Sequence, residues 1–191
     1  MLLLLVVGGA LPRASWAVDG GTLRVTPTNG WLAFEVISQG DNPSGDGFNY
    51  SMPGTFDGAG AWMVDASTLR VLVNHEETDA AISEVNLDLA ALESAIASMI
   101  SVGNTGGVRF VNSARQAYSR WSADGGATFT NTSSMANTDF GALCSAQAYA
   151  PNTFGPDRGF VDEIYITGAA LGADGGIGTT YNILGRLYAA L

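Results

Sequence analysis

The stretch Ala61–Glu77, AWMVDASTLRVLVNHEE, decides the fold reading of this chain. Trp62-Met63-Val64 is an apolar run, Asp65-Ala66-Ser67 has turn chemistry, and Leu69 to Val73 returns as a second apolar run. Two short β-prone runs around a polar turn predict an antiparallel hairpin. On the returning strand Val71 and Val73 share one face and Leu72 takes the other. That strand delivers Asn74-His75-Glu76-Glu77 at its end, where polar side chains emerge from a sheet.

The flanking sequence supports more β-structure and one helix. Upstream, Leu23/Val25 and Trp31/Ala33/Phe34/Val36 are two apolar alternations split by Pro27-Thr28-Asn29-Gly30, a hairpin or two successive strands. Gln39 to Gly60 is rich in Gly, Asp, Asn and Pro and reads as a long loop. Downstream, Ser83 to Ser101 has helical spacing in Leu89, Leu92, Ile96 and Met99. Asn86 or Asp88 is the cap, so the helix is expected over about 86–101. Val108–Val111 reads as a short strand, and so does the alternation Val161, Ile164, Ile166, with Asp162 and Glu163 on its solvated face. Tyr181–Leu191 suggests a last strand. The 25 glycines against 6 prolines fit many tight turns between short strands.

Composition narrows the classes further. The chain has 191 residues, 47% hydrophobic and 14% charged, which is enough for a core and too apolar for disorder. Its net charge of −10 argues against a nucleic-acid or anionic-membrane surface, both of which need clustered positive charge. Residues 1–17, MLLLLVVGGALPRASWA, resemble a secretory signal. The apolar run is too short to span a bilayer, and Ser15 and Ala17 are small residues before a cut. The other reading of this run is a buried N-terminal strand. Export would place residues 18–191 outside the cell or in the periplasm as one β-rich domain. No other stretch is apolar enough to cross a membrane. The single cysteine, Cys144, cannot form an intramolecular disulfide, so it is a buried small side chain, a dimer link or a thiolate ligand.

Ala117–Phe129 contains S-x-D-x-G-x-T-F at Ser122, Asp124, Gly126, Thr128 and Phe129. This is the Asp-box pattern. Its carboxylate bonds backbone N–H groups across a hairpin and its glycine takes positive φ, so it marks a fold and not a catalytic site. Asn49-Tyr50-Ser51 and Asn131-Thr132-Ser133 are glycosylation sequons. The chain has no G-x-S-x-G, H-E-x-x-H, P-loop or C-x-x-C, and its only histidine, His75, has no marked serine partner in sequence. No catalytic residue is assigned. Arg120 and Arg158 could meet a phosphate or pair with surface carboxylates.

Four features occur in order: Asn74-His75-Glu76, the Asp-box hairpin, Phe140–Ala146 (FGALCSA), and Gly159–Gly168 (GFVDEIYITG). In this order the chain resembles the PhoX-type alkaline phosphatases, secreted β-propeller phosphatases, over roughly residues 56–191. The match corresponds to the amino-terminal part of a longer family chain. The resemblance implies an incomplete propeller of antiparallel hairpins, and with it unpaired sheet edges through which copies could associate. It also implies a cluster of iron and calcium acting on a small phosphoester. By resemblance Cys144 is the iron-ligating cysteine, Asn74 and Glu76 lie near the cluster as ligands, and His75 stands behind them. One departure is plain. Where the family continues Gly-Glu-Glu, this chain reads Gly168-Ala169-Ala170, losing an anionic oxygen that a hard cation would use. Two readings follow: a PhoX-like phosphomonoester hydrolase domain short of ligands, or a non-catalytic secreted β-domain.

Overall fold

The computed structural model describes residues 2–7, 26–43, 50–77, 80–122, 126–131, 141–171 and 177–186. The expectation of a mainly β chain with antiparallel sheets and one helix is met. Among the described residues the strands form four separate sheets and no closed barrel. β1 (Leu2–Val7) pairs with β2 (Trp31–Ile37), and β3 (Phe56–Met63), β4 (Thr68–His75), β5 (Ile82–Asp88) and β6 (Val111–Gln116) form a four-stranded sheet in chain order. β7 (Arg120–Trp121) pairs with β8 (Thr130–Asn131). The last sheet has the order β11 (Ile177–Arg186), β10 (Ile164–Leu171), β9 (Gly141–Tyr149).

Backbone bonds set the sense of the four-stranded sheet. Val64 N–H donates to Thr68 at 2.9 Å and Glu76 N–H to Thr55 at 2.9 Å, so β3 and β4 run antiparallel. His75 N–H to Ala81, then Ala117 N–H to Ile82 and Asp88 N–H to Phe110, do the same for β4–β5 and β5–β6. The sheet is therefore an antiparallel meander with α1 (Leu89–Val102) inserted between β5 and β6. Asp65 Oδ1 accepts from Ser67 N–H, the Ser67 hydroxyl and Thr68 N–H, closing the expected turn. These bonds hold the Asp65 carboxyl below its ordinary range.

The chain falls into two compact units that divide the strands of this sheet. One comprises Met1–Gly54, Met63–Arg70 and Val85–Arg115. Its buried residues include Phe34, Ile37, Met52, Val85, Leu87, Leu92, Met99 and Phe110, with Phe34 and Phe110 edge to face at 5.8 Å. Residues 2–7, which the sequence places in a leader, pair here as β1 with β2; the cut after Ala17 lies outside the described residues. The alternation Leu23/Val25 also lies outside them.

The other unit comprises Thr55–Trp62, Val71–Glu84 and Gln116–Leu191. Its core is Leu72, Ala80, Ile82, Leu143 and Tyr165, with Trp62, Tyr118, Ala146 and Ala148 packed against it.

Several boundaries differ from the sequence reading. The helix starts at Leu89, not at 86, because Ile82–Asp88 continues the sheet and the Asp88 carboxylate caps it by accepting from Ala91 N–H at 2.8 Å. Its buried stripe is Leu92, Ala95 and Met99, and Gly103 closes it at φ 78°. β3 starts at Phe56 and claims the end of the predicted loop. Its half-buried positions are Phe56, Gly58, Gly60 and Trp62, and the two glycines hide the alternation from a hydropathy reading. The strand expected at Val108–Val111 lies instead at Val111–Gln116. Val161 is exposed, and Asp162 and Glu163 also precede β10 and do not lie within it. The last strand spans Ile177–Arg186, and 187–191 are outside the described residues.

Candidate metal centre

Three donors converge in the second unit. The carboxylates of Asp57 and Glu76 and the sulfur of Cys144 lie within 4.8 Å of one another. Three donors spread around one transition-metal ion at about 2.0–2.3 Å stand about 3.3–4.0 Å from one another, so side-chain shifts of about 1 Å or less would bring all three to one ion. Each comes from a different strand or strand end. Asp57 takes the exposed parity of β3, Glu76 follows the last residue of β4, and Cys144 lies within β9.

Cys144 reaches this place through an irregularity. Thr167 of β10 pairs with Ala146 and Ala169 with Leu143, so two residues of advance on β10 meet three on β9. The extra residue is a β-bulge at Cys144-Ser145. It allows Leu143 and Ala146 both to face the core, although an unbroken strand would send them to opposite faces. The bulge is where the thiol is re-aimed. Just before it Ala142 holds φ +47°, a strained value for alanine, and its N–H donates to the Glu77 carbonyl at 2.8 Å.

The half-buried thiol has two acceptors, Ala142 O at 3.1 Å and Glu76 Oε1 at 3.4 Å. Burial first, then the hydrogen bond and charge of Glu76 and the charge of Asp57, push the Cys144 thiol above its ordinary value. Two carboxylates around a thiol disfavour the thiolate; a cation among them would reverse that preference.

Of the residues assigned by resemblance, Cys144 and Glu76 meet and Asn74 does not join them as a ligand. The Asn74 side chain is buried and engaged at both ends. Its Oδ1 accepts from the Tyr165 hydroxyl at 2.9 Å, and its Nδ2 donates to Thr167 Oγ1 at 2.6 Å and toward the carbonyls of Cys144 and Ser145. An amide oxygen already accepting a hydrogen bond in a buried network is a poor candidate for a cation. His75 has the opposite strand parity. It is fully buried, 2.6 Å from Ser83 Oγ and against the Phe56 ring, so it stands in the core and the serine partner that sequence did not mark is Ser83.

Asp57 is the donor that sequence reasoning missed. It sits inside the stretch read as a loop, and no local signal links residue 57 to residue 144. In the Asp-box hairpin Ser122 Oγ accepts from Gly126 N–H at 2.8 Å and Gly126 takes φ +92°. Thr128 and Phe129 are exposed, and Asp124 lies outside the described residues. The Arg120 guanidinium stacks 4.5 Å from the Phe129 ring centre, and Arg158 is exposed on the loop before β10. Ala169 and Ala170, where the family resemblance calls for acids, lie in β10.

The donor chemistry suits one of the two metals that the resemblance implies. A thiolate with two carboxylates is a mixed soft and hard set that suits iron and similar transition metals. Calcium takes six to eight oxygens, and the triad offers only carboxylate oxygen from two residues, so calcium does not fit it. No helix among the described residues is long and apolar enough to cross a membrane. No family model, no curated protein and no solved structure matches the chain.

Proposed function

We propose that the chain is a metal-dependent phosphomonoester hydrolase domain of the PhoX kind, with Asp57, Glu76 and Cys144 holding one transition-metal ion. The convergence of those three side chains is the observation that supports it, because the resemblance selected two of them from sequence separations that no local structure requires. Asp57 and Glu76 supply anionic oxygen, and Cys144 gives up its thiol proton on binding. When bound, the ion supplies Lewis acidity toward a phosphoryl oxygen. The substrate class in this reading is a small phosphate monoester, and iron is the first metal to test. A propeller-like arrangement of the sheets, unpaired edges that allow association, and export behind residues 1–17 belong to the same proposal.

A second reading is a non-catalytic secreted β-domain. Asn74 favours it, since a residue the family resemblance offers as a ligand is committed to the protein interior. The alanines at 169 and 170 favour it as well.

One experiment separates the two. The purified chain is analysed for bound iron, zinc and calcium and assayed on an aryl phosphate, beside Cys144→Ala, Glu76→Gln and Asp57→Asn. The hydrolase reading expects about one transition-metal ion per chain and turnover lost in all three variants. Metal-free protein without turnover leaves the non-catalytic domain.

A further inference from the structure

We infer that the buried Tyr165–Asn74–Thr167 network is the positioning frame of the donor triad, and that Asn74 acts in it as a clamp on the β9 bulge. The inference rests on the metal-centre reading for its functional meaning, although the frame is a property of the chain alone.

The network touches every strand that carries a donor. The Tyr165 hydroxyl reaches the Gly58 carbonyl at 3.2 Å and Asn74 Oδ1 at 2.9 Å, joining β10 to β3 beside Asp57 and to β4 two residues before Glu76. Asn74 Nδ2 lies 3.3 Å from Cys144 O and 3.4 Å from Ser145 O, and the Thr167 hydroxyl donates to Ser145 O at 3.0 Å. A bulge leaves backbone groups outside the regular ladder, and part-buried carbonyls there take other donors. Asn74 and Thr167 supply them at the two residues where the thiol is re-aimed. Gly58 completes the frame. A Cβ there would lie 2.5 Å from Cys144 O and 2.7 Å from Ser145 C, so only glycine lets β3 carry Asp57 this close to β9. Tyr165 and Asn74 are buried and neutral groups, and burial pushes the Tyr165 hydroxyl well above its ordinary value. They hold the donors without contributing charge.

The test uses the full chain, in which Cys144 is the only cysteine. Iodoacetamide alkylation of Cys144 at fixed pH is timed with and without Glu76→Gln, in the wild type, Thr167→Val and Tyr165→Phe. If the frame holds the thiol against Glu76, Glu76→Gln accelerates alkylation several-fold in the wild type and much less in the other two backgrounds. In parallel, cobalt(II) is titrated and the thiolate-to-cobalt absorption followed. The frame variants are expected to keep that absorption and to weaken binding by about 10–100-fold, the usual loss when groups supporting a ligand are removed. Met99→Leu, a core change in the other compact unit, should alter neither readout. Equal acceleration in all three backgrounds, or equal cobalt affinity, overturns the frame. A wild-type chain without cobalt absorption sinks the metal-centre reading instead, and the alkylation coupling alone then decides the frame. Tyr165→Phe removes a single oxygen and supplies the answer if Thr167→Val does not fold.

Discussion

A methyl group on residue 58 would press on Ala146 N, Cys144 O and the Ser145 carbonyl carbon at once, all of them backbone. Backbone atoms cannot swing aside as a flexible side chain does, so the strands themselves would have to separate. Gly58→Ala is therefore expected to destabilise the protein by about 1–3 kcal/mol, the usual scale of overpacking, as read from urea unfolding. The same substitution at Gly107, where nothing lies within 4 Å, adds no such crowding. It has only the cost of its positive φ to bear. A Gly58→Ala protein as stable as the wild type would show that β3 does not approach β9 as described. At this scale Asn74 also changes character. The family resemblance offered it as a ligand, yet the carbonyls of the bulge and the Tyr165 hydroxyl account for its polarity.

Among the elements, α1 shows how a local signal and the sheet divide a boundary. Both Asn86 and Asp88 can cap a helix, but Asn86 is held in the sheet, its side chain bonded to Arg70 Nε and Ser113 Oγ. Asp88 is left to cap, with its extended backbone and its bond to Ala91 N–H. Asp88→Ala should cost about 1 kcal/mol. Asn86→Ala should leave the helix start unmoved, which amide hydrogen exchange of residues 89–92 would report. β9 is the counterpart among strands. Its bulge is an insertion relative to β10, and only the pairing of the two strands defines it.

For the molecule as a whole, a bound cation is linked to folding. A ligand that binds only the folded chain stabilises it by about 2.7 kcal/mol at about 100 times its dissociation constant. Under the proposed function, cobalt or ferrous iron should raise the melting temperature of the wild type, and a chelator should reverse the rise. Cys144→Ala should abolish the effect. Calcium at the same concentration should give a much smaller shift, because the triad offers too few oxygens. An equal shift with calcium, or one that persists in Cys144→Ala, would place the cation elsewhere. The acidic surface expected from a net charge of −10 makes that control necessary.

The mainly β class, the β3–β4 hairpin with its Asp65 turn, and the single helix were legible in residues 61–103, because turn chemistry and hydrophobic period are local properties. Glu76 and Cys144 were legible as a pair only through a family resemblance, since nothing in their own neighbourhoods joins residues so far apart. The role of Asp57, the burial of His75 against Ser83 and the engagement of Asn74 were not legible at all. Alternation along β4 puts Asn74 and Glu76 on one parity and His75 on the other, but it does not say which parity faces β9. That choice depends on Gly58, Leu143 and Tyr165 packing across strands distant in sequence, and on one extra residue in β9 that turns the thiol toward two carboxylates. Local chemistry made the strands, and packing between them made the site.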